Sequence, residues 1–306
     1  MICIGTHIMG EIVLDKAPVR PFSDKNYLYF QSYGDADTSV SLIAPSSFNV
    51  SFEISTDGTT WCNWGYDTVN SQKVFSRVTL PLFGDYVFIR ASSVNTWNAL
   101  PSRHLQFVFG DGLIKSGGSV MSLIKSDASL VSFEYPSTCF YNLFQDCKTL
   151  TTAPELPATS LIGNCYDSMF QGCTSLTQAP ALPSTTLVYS CYYGMFRGCV
   201  CLTTAPALPA ETLADNCYQE MFYGCISLTQ APALPATTLA SNCYSSMFSS
   251  CSALNYVRVE ATAWNTSYAN NWLYSVASVG TFTKPTGTTI ASGASGIPNG
   301  WTVVNY

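Results

Sequence analysis

The sequence predicts a mainly β protein with short helices, in which an N-terminal β-sandwich is followed by a solenoid of 26-residue repeats and a C-terminal capping segment. The first observation is a unit that recurs without any change of period over residues 139–254. The second is a series of alternating apolar and polar segments before the repeats. The third is composition: 47% of the residues are hydrophobic and 10% are charged, which is more typical of stacked β-rich proteins than of helical bundles.

The repeated unit reads Cys-Tyr-x-x-Met-Phe-x-Gly-Cys-x-Ser-Leu-Thr-x-Ala-Pro-x-Leu-Pro-Ala-Thr-Thr-Leu-x-x-Asn. Its positions are numbered here from the first cysteine. A constant period with apolar residues at fixed positions means that one unit cannot bury its apolar face alone and must stack on its neighbours. The sequence therefore predicts a leucine-rich type of solenoid with five units, which begin at Cys139, Cys165, Cys191, Cys217 and Cys243.

Each unit is predicted to contain a helix of one to two turns. Cys165, Met169 and Cys173 lie at i, i+4 and i+8, the spacing of one helix face. Glycine follows at position 8 in three units, where a helix needs a left-handed stop. The next segment, Leu-Thr-x-Ala-Pro-x-Leu-Pro, predicts short strands interrupted by proline. Residues suited to an N-cap precede each helix, namely Thr138, Asn164, Ser190, Asn216 and Asn242.

The chain before the repeats is predicted to form a β-sandwich over residues 31–115. Segments 40–44, 49–55 and 86–91 alternate in polarity, and Asp57-Gly58 is a hairpin signal between strands. Residues 116–138 are predicted to be a cap that leads into the repeats. Residues 255–306 are predicted to be the C-terminal cap.

Charge and hydropathy exclude two classes of partner. The net charge is -6, and the 13 Lys and Arg residues form no basic run, so we expect no binding of nucleic acid. No apolar run approaches the length that spans a membrane, so we expect no membrane insertion. The N-terminus has no cationic leader and an early acidic residue, Glu11, so it does not predict a secretory signal.

Ten of the 13 cysteines form two ladders, at positions 1 and 9 of the five units. Cys3, Cys62 and Cys201 lie outside the ladders, and no Cys-x-x-Cys motif of a zinc site is present. The sequence predicts buried thiols. Disulfides between neighbouring units are the alternative, although the parallel side-chain directions in a stack do not suit disulfide geometry.

No motif predicts catalysis, a cofactor or a metal site. His7 and His104 lie outside the repeats and form no metal-binding pair. Asp35 and Asp37 lack the further acidic ligands of a calcium loop. Phosphate-binding and nucleophile motifs are also absent. Acidic residues within the repeats form no recurring pair for glycoside hydrolysis and are predicted to be solvated, namely Asp146, Glu155, Asp167, Glu211, Asp215 and Glu220.

The pairs Met169-Phe170, Met195-Phe196, Met221-Phe222 and Met247-Phe248, with the cysteine three residues later, resemble the BspA-like leucine-rich repeats of surface proteins and bacteriophages of gut Bacteroidota. The resemblance implies a core formed by these pairs and a buried cysteine. Residues 1–30 resemble segments at the start of some phage virion proteins, which implies an N-terminal docking segment that contacts other virion proteins. A plain edge strand is the alternative for these residues. The end of the chain resembles the terminal segment of such repeat proteins.

We expect a non-enzymatic bacteriophage virion protein, a fibre or a capsid or tail decoration, whose solenoid on the virion surface binds a host surface protein or glycan. Alternatives are a bacterial cell-surface adhesin and a purely structural virion subunit without a ligand. A homo-oligomer is compatible with this hypothesis, but no heptad specifies one. Residues that vary between units are the candidate ligand-binding surface, namely Gln171, Gln178, Tyr189, Tyr193, Arg197, Tyr223 and Gln230.

Overall fold

The computed structural model describes residues 12–13, 27–33, 38–46, 51–80, 84–92, 105–124, 130–133 and 140–306. The chain divides into two compact parts: Met1–Val131 with Thr149–Pro157, and Ser132–Lys148 with Ala158–Tyr306. The described residues are mainly β, with several sheets, none of them closed, and almost no helix. Within the described ranges, no helix is long and apolar enough to cross a membrane.

Helix in the described residues is confined to a 3-10 turn at Val120–Leu123. The strands in chain order are β1 Ile12–Val13, β2 Leu28–Ser32, β3 Thr38–Pro45, β4 Phe52–Ser55, β5 Cys62–Asn63, β6 Tyr66–Val69, β7 Gln72–Phe75, β8 Val78–Leu80, β9 Tyr86–Ala91, β10 Gln106–Phe109, β11 Ile114–Gly117, β12 Leu150–Thr152, β13 Tyr256–Arg258, β14 Thr281–Lys284 and β15 Thr302–Asn305.

The first part contains two six-stranded sheets. One has the order β1-β8-β3-β7-β6, with β10 also paired to β3, and the other has the order β12-β11-β2-β9-β4-β5. Aromatic rings from the two sheets meet edge to face. Phe30 of β2 lies 4.8 Å from Phe107 of β10 between ring centroids, and Phe52 of β4 lies 5.5 Å from Phe75 of β7. These rings are buried and form the core of this part.

The predicted hairpin signal is confirmed, because β4 pairs antiparallel with β5 across the Asp57-Gly58 turn. The carboxylate of Asp57 accepts the backbone N–H groups of Thr59 and Thr60, at 2.8 and 2.6 Å. These bonds hold the pKa of Asp57 well below its usual range, although burial acts in the opposite direction. Gly58 has a φ of 69°, which explains glycine at this position.

In the second part, consecutive repeats stack through their backbones. Each N–H at an even position from 2 to 8 donates to a carbonyl of the next unit. In the second unit, Tyr166 donates to Cys191 at 3.1 Å and Phe170 donates to Met195 at 2.9 Å. The N–H groups at odd positions bond within the unit, three residues back, as Met169 does to Tyr166 at 3.3 Å. Every backbone N–H along this segment thus finds a partner without a helix.

The short helices predicted for the units are wrong. The segment between the two ladder cysteines of each unit is instead a series of linked turns. Every fourth residue has a left-handed backbone, at position 26 of the preceding unit and at positions 4 and 8. An α-helix cannot contain such residues at this frequency. The supposed N-caps Asn164, Ser190, Asn216 and Asn242 have φ between 50° and 57° and are therefore left-handed turn residues. Thr138 lies outside the described residues. The left-handed backbone predicted at position 8 is present at Gly172, Gly198 and Gly224, and also at Asp146 and Ser250, although it ends no helix.

Two columns of parallel rings run through the stack. At position 6, Phe170 and Phe196 are 5.7 Å apart with an angle of 1° between their planes. At position 2, Tyr166 and Tyr192 are 5.9 Å apart with an angle of 4°. The Met-Phe pairs and the ladder cysteines of the described units are buried, as predicted. Identical residues at identical depths therefore build one continuous core.

The proline-containing segments form single parallel bridges rather than extended strands in most units, such as Gln178 with Thr204 and Thr186 with Thr212. Stacking also continues beyond residue 254. Phe248 donates its N–H to the Trp272 carbonyl at 2.9 Å, and Trp272 lies 6.0 Å from Tyr244 between ring centroids. Near the end of the chain, β13, β14 and β15 form a parallel three-stranded sheet.

Candidate ligand-binding surface

The stack places the predicted surface residues on four rows, at positions 3, 7, 14 and 25 of the units. Gln171, Arg197 and Tyr223 share position 7 of consecutive units, and each is half-buried. Tyr193, at position 3, is also half-buried, whereas Tyr189 is 55% exposed. Two glutamines at position 14 are exposed on a different row of the stack, namely Gln178 and Gln230.

Arg197 and Tyr223 are brought together because Gly198 donates its N–H to the Tyr223 carbonyl at 2.7 Å, which aligns position 7 of adjacent units. The guanidinium of Arg197 lies 4.7 Å from the centroid of the Tyr223 ring, a cation–π contact. Arg197 also forms an ion pair with the carboxylate of Glu220. The aromatic ring and the ion pair together fix the direction of the arginine side chain.

Tyr193 belongs to this cluster because the carboxylate of Glu220 acts on its hydroxyl group. Burial, followed by the negative charge of Glu220, raises the pKa of Tyr193 to about 12. The tyrosine therefore keeps its proton at neutral pH, and its hydroxyl remains a hydrogen-bond donor. Glu220 accepts from Arg197.

Asp167 lies at position 3 of the preceding unit, beside Tyr193. Ser168 donates to its Oδ1 at 2.7 Å. Burial, the largest cause, and the charge of Glu220 raise the pKa of Asp167 to about 6, whereas the serine bond lowers it. None of the ion pairs among the described residues includes Asp167. At neutral pH this carboxylate is thus negative and half-buried without a cationic partner.

The prediction that the acidic residues of the repeats are solvated is wrong for two of them. Asp167 and Glu220 are half-buried within the cluster, because the linked turns bring positions 3, 4 and 7 of neighbouring units together. If each unit contained a helix, the side chains at positions 3, 4 and 7 of neighbouring units would lie at other distances from one another. The left-handed positions carried a usable signal, since glycine, asparagine or serine occupies all of them in the repeats except Asp146 and Glu220. The other four are exposed as expected, namely Asp146, Glu155, Glu211 and Asp215.

The cysteine ladder at position 9 consists of buried thiols that donate to backbone carbonyls. Cys173 Sγ lies 3.0 Å from the Phe144 carbonyl oxygen, and Cys225 Sγ lies 3.1 Å from that of Phe196. Burial raises the pKa of both thiols well above the ordinary value. Cys201, outside the ladders, is an exposed free thiol, and Cys62 is disulfide-bonded. The ladder thiols are therefore structural and chemically shielded.

Metal ligands do not converge in the part of the chain that the structure describes: no three His, Cys, Asp or Glu residues there are arranged to hold an ion. The residues considered for metal binding from the sequence, His7, His104, Asp35 and Asp37, lie outside the described residues. The described surface instead offers hydroxyl, guanidinium and carboxylate groups beside aromatic rings.

Comparison of the chain with protein-family models, with curated proteins and with solved structures finds no match. The resemblance to BspA-like repeats therefore stays a prediction.

Proposed function

We propose that this chain is a non-enzymatic bacteriophage virion protein, a fibre or a capsid or tail decoration, whose repeats present an adhesive surface to a host protein or glycan. The observation that carries the proposal is the contrast between positions within the stack. In the second to fifth units, positions 2, 5, 6 and 9 repeat the same buried residues, whereas positions 3 and 7 vary between units. Changes that leave the core intact are expected where a repeat protein recognises a partner.

The proposal also covers the architecture of the two parts of the chain, a β-sandwich and a leucine-rich-repeat solenoid. The ring contacts between the two sheets of the first part support a β-sandwich. The unit-to-unit backbone bonds of the second part support a leucine-rich-repeat solenoid of the BspA-like kind. A rigid stack of this sort holds side chains of different units at fixed spacing, as an adhesive surface requires. Contacts with other virion proteins are assigned to residues 1–30.

The location is tested by mass spectrometry of purified phage particles from the source culture. We expect peptides of this chain at a constant ratio to the major capsid protein. Peptides found only in the bacterial surface fraction would contradict a virion location and favour the cell-surface adhesin.

Adhesion is tested by the binding of the fluorescently labelled full chain to host cells. We expect saturable binding that falls about tenfold, or about 1.4 kcal/mol, on Arg197→Ala. Thr212→Ala is the control, because Thr212 is equally part of the stack but is exposed away from the cluster. Equal binding by the two variants would contradict recognition at the cluster, and no binding by the parent chain would favour a purely structural subunit.

A further inference from the structure

The turn that leads into β15 contains an asparagine followed directly by a glycine. Asn299–Gly300 is the one Asn-Gly step in the sequence, and both residues are exposed. Trp301 donates its N–H to the Pro298 carbonyl oxygen at 3.3 Å, so the pair lies at the centre of a β-turn. Gly300 has a φ of 87°, which suits the third residue of a type II turn. The turn therefore keeps a glycine directly after an exposed asparagine.

The backbone nitrogen of Gly300 is free to react with the side-chain amide of Asn299. A side chain on the residue after asparagine would crowd this nitrogen, and glycine has none. No group among the described residues accepts the N–H of Gly300, so no hydrogen bond has to break before the nitrogen reacts. Because both residues are exposed, water and hydroxide reach them.

The asparagines at position 26 of the repeats lack this freedom, namely Asn164, Asn216 and Asn242. Each of them precedes a buried ladder cysteine, whose side chain crowds the backbone nitrogen. The N–H of each cysteine also donates to the carbonyl three residues back at 3.2 Å, as Cys165 does to Ile162, Cys217 to Ala214 and Cys243 to Ala240. The chain thus contains its own comparison set of asparagines whose following nitrogen is bonded and shielded.

We propose that Asn299 is a site of spontaneous deamidation, with Gly300 as the nucleophile. The backbone nitrogen of Gly300 loses its proton to solvent and bonds to the side-chain carbonyl carbon of Asn299. The bond from that carbon to the amide nitrogen breaks, and this nitrogen takes up a proton and leaves as ammonia. Water then opens the cyclic succinimide. Addition at the side-chain carbonyl gives aspartate, whereas addition at the backbone carbonyl gives isoaspartate, in which the main chain runs through the former side chain.

Isoaspartate at position 299 loosens the start of β15, because it adds one carbon atom to the main chain of the turn. That turn positions Trp301, which is 7% exposed and donates its Nε1–H to the Ala277 carbonyl at 2.8 Å. The next residue, Thr302, donates its N–H to the Gly280 carbonyl, also at 2.8 Å. Among the described strands β15 pairs with β14 alone, so no second neighbour holds it in place once these contacts are displaced.

The test is storage of the folded full chain at pH 8, followed by peptide mass spectrometry. We expect most of the Asn299 peptide to be lost over several days and replaced by its aspartate and isoaspartate forms, which chromatography separates. The same chain in guanidinium chloride gives the rates without structure. Asn299 should react at a comparable rate in both states, whereas the position-26 asparagines should stay intact in the native chain. An Asn299 that reacts only after unfolding, or no faster than those asparagines, would overturn the site.

Asn299→Gln is the matched control, because glutamine keeps an exposed amide but would have to close a larger ring, which is much slower. Hydrogen exchange of the β15 amides reports whether the strand stays paired. The stored parent chain should lose protection there relative to the fresh chain, and the stored Asn299→Gln variant should keep it. Fresh Asn299→Asp, which adds the charge without the extra carbon, should also keep it. Full protection of β15 in isoaspartate-containing protein would overturn the loosening of the strand.

Discussion

The thiol of Cys199 donates a hydrogen bond to the carbonyl oxygen of Phe170 in the preceding unit, with an Sγ–O distance of 3.1 Å. The same oxygen accepts the backbone N–H of Cys173, also at 3.1 Å. One carbonyl thus uses both lone pairs, one within its own unit and one towards the next. Cys173, Cys225 and Cys251 repeat the thiol contact. Cysteine at position 9 is therefore a small buried residue that also links units.

Cys199→Ala should lower the free energy of unfolding by about 1–2 kcal/mol, because it removes buried sulfur and leaves a lone pair of Phe170 unsatisfied. Urea unfolding measures the change. Cys201→Ala is the control, because Cys201 is exposed, and should change stability by less than about 0.5 kcal/mol. Equal effects of the two substitutions would contradict the assigned role of the ladder thiol.

Alkylation of the native protein should distinguish the exposed thiol from the ladder. Burial raises the pKa of Cys191, Cys243 and Cys251 to about 12, so these groups are neutral and inaccessible at pH 8. We expect iodoacetamide to modify Cys201 within minutes and these three only after unfolding, as peptide mass spectrometry can show. Rapid native labelling of the three would mean that the stack opens locally.

Phe196→Ala should lower the free energy of unfolding by about 3–5 kcal/mol. Phe196 is fully buried and lies 5.7 Å from the ring centroids of both Phe170 and Phe222. Thermal melting measures the loss. Tyr189→Ala, at an exposed aromatic, should leave the melting temperature nearly unchanged. An unchanged melting temperature for Phe196→Ala would contradict the register of the stack.

Substitutions at Ser246 distinguish linked turns from a helix. Ser246 has a φ of 52°, so Ser246→Val should cost about 1–2 kcal/mol, because a branched side chain is strained there. Ser246→Gly should be neutral or stabilising, since glycine adopts this backbone freely. In a helix the order would be reversed, because glycine costs about 1 kcal/mol relative to alanine. Urea unfolding of the two variants gives the order.

Asp167→Asn should stabilise the protein at neutral pH. The folded-state pKa of Asp167 is raised from 3.8 to about 6, so the folded protein holds a proton that the unfolded chain releases between these values. The contribution of Asp167 to the free energy of unfolding is therefore favourable at low pH, and it is lost as the pH rises through about 6. Allowing for solvent screening, we expect a gain of about 1–2 kcal/mol at pH 7.5 and almost none at pH 4. Urea unfolding at both pH values measures it; an equal gain at both would assign the effect to packing.

The sequence alone determined that the units stack and which residues the stack buries. Apolar residues at a fixed period of 26 cannot all be covered within one unit, so neighbours must cover them, whatever the local backbone does. The buried Met-Phe pairs, the buried thiols and the left-handed glycines follow from that argument and from the lack of a side chain in glycine. The hairpin at Asp57-Gly58 was likewise predictable, because its signal is local.

The tertiary structure decided the backbone conformation between the cysteines at positions 1 and 9 of each unit. It also decided which residues form the cluster around Arg197 and Glu220. The spacing of Cys165, Met169 and Cys173 suits a helix as well as linked turns, because both place every fourth residue on one face. The choice depends on whether backbone N–H groups bond within the unit or to the next one, and only the stacked neighbour provides that second partner. The same choice brings Glu220 to Tyr193 and Arg197, contacts between residues of different units that no local pattern specifies.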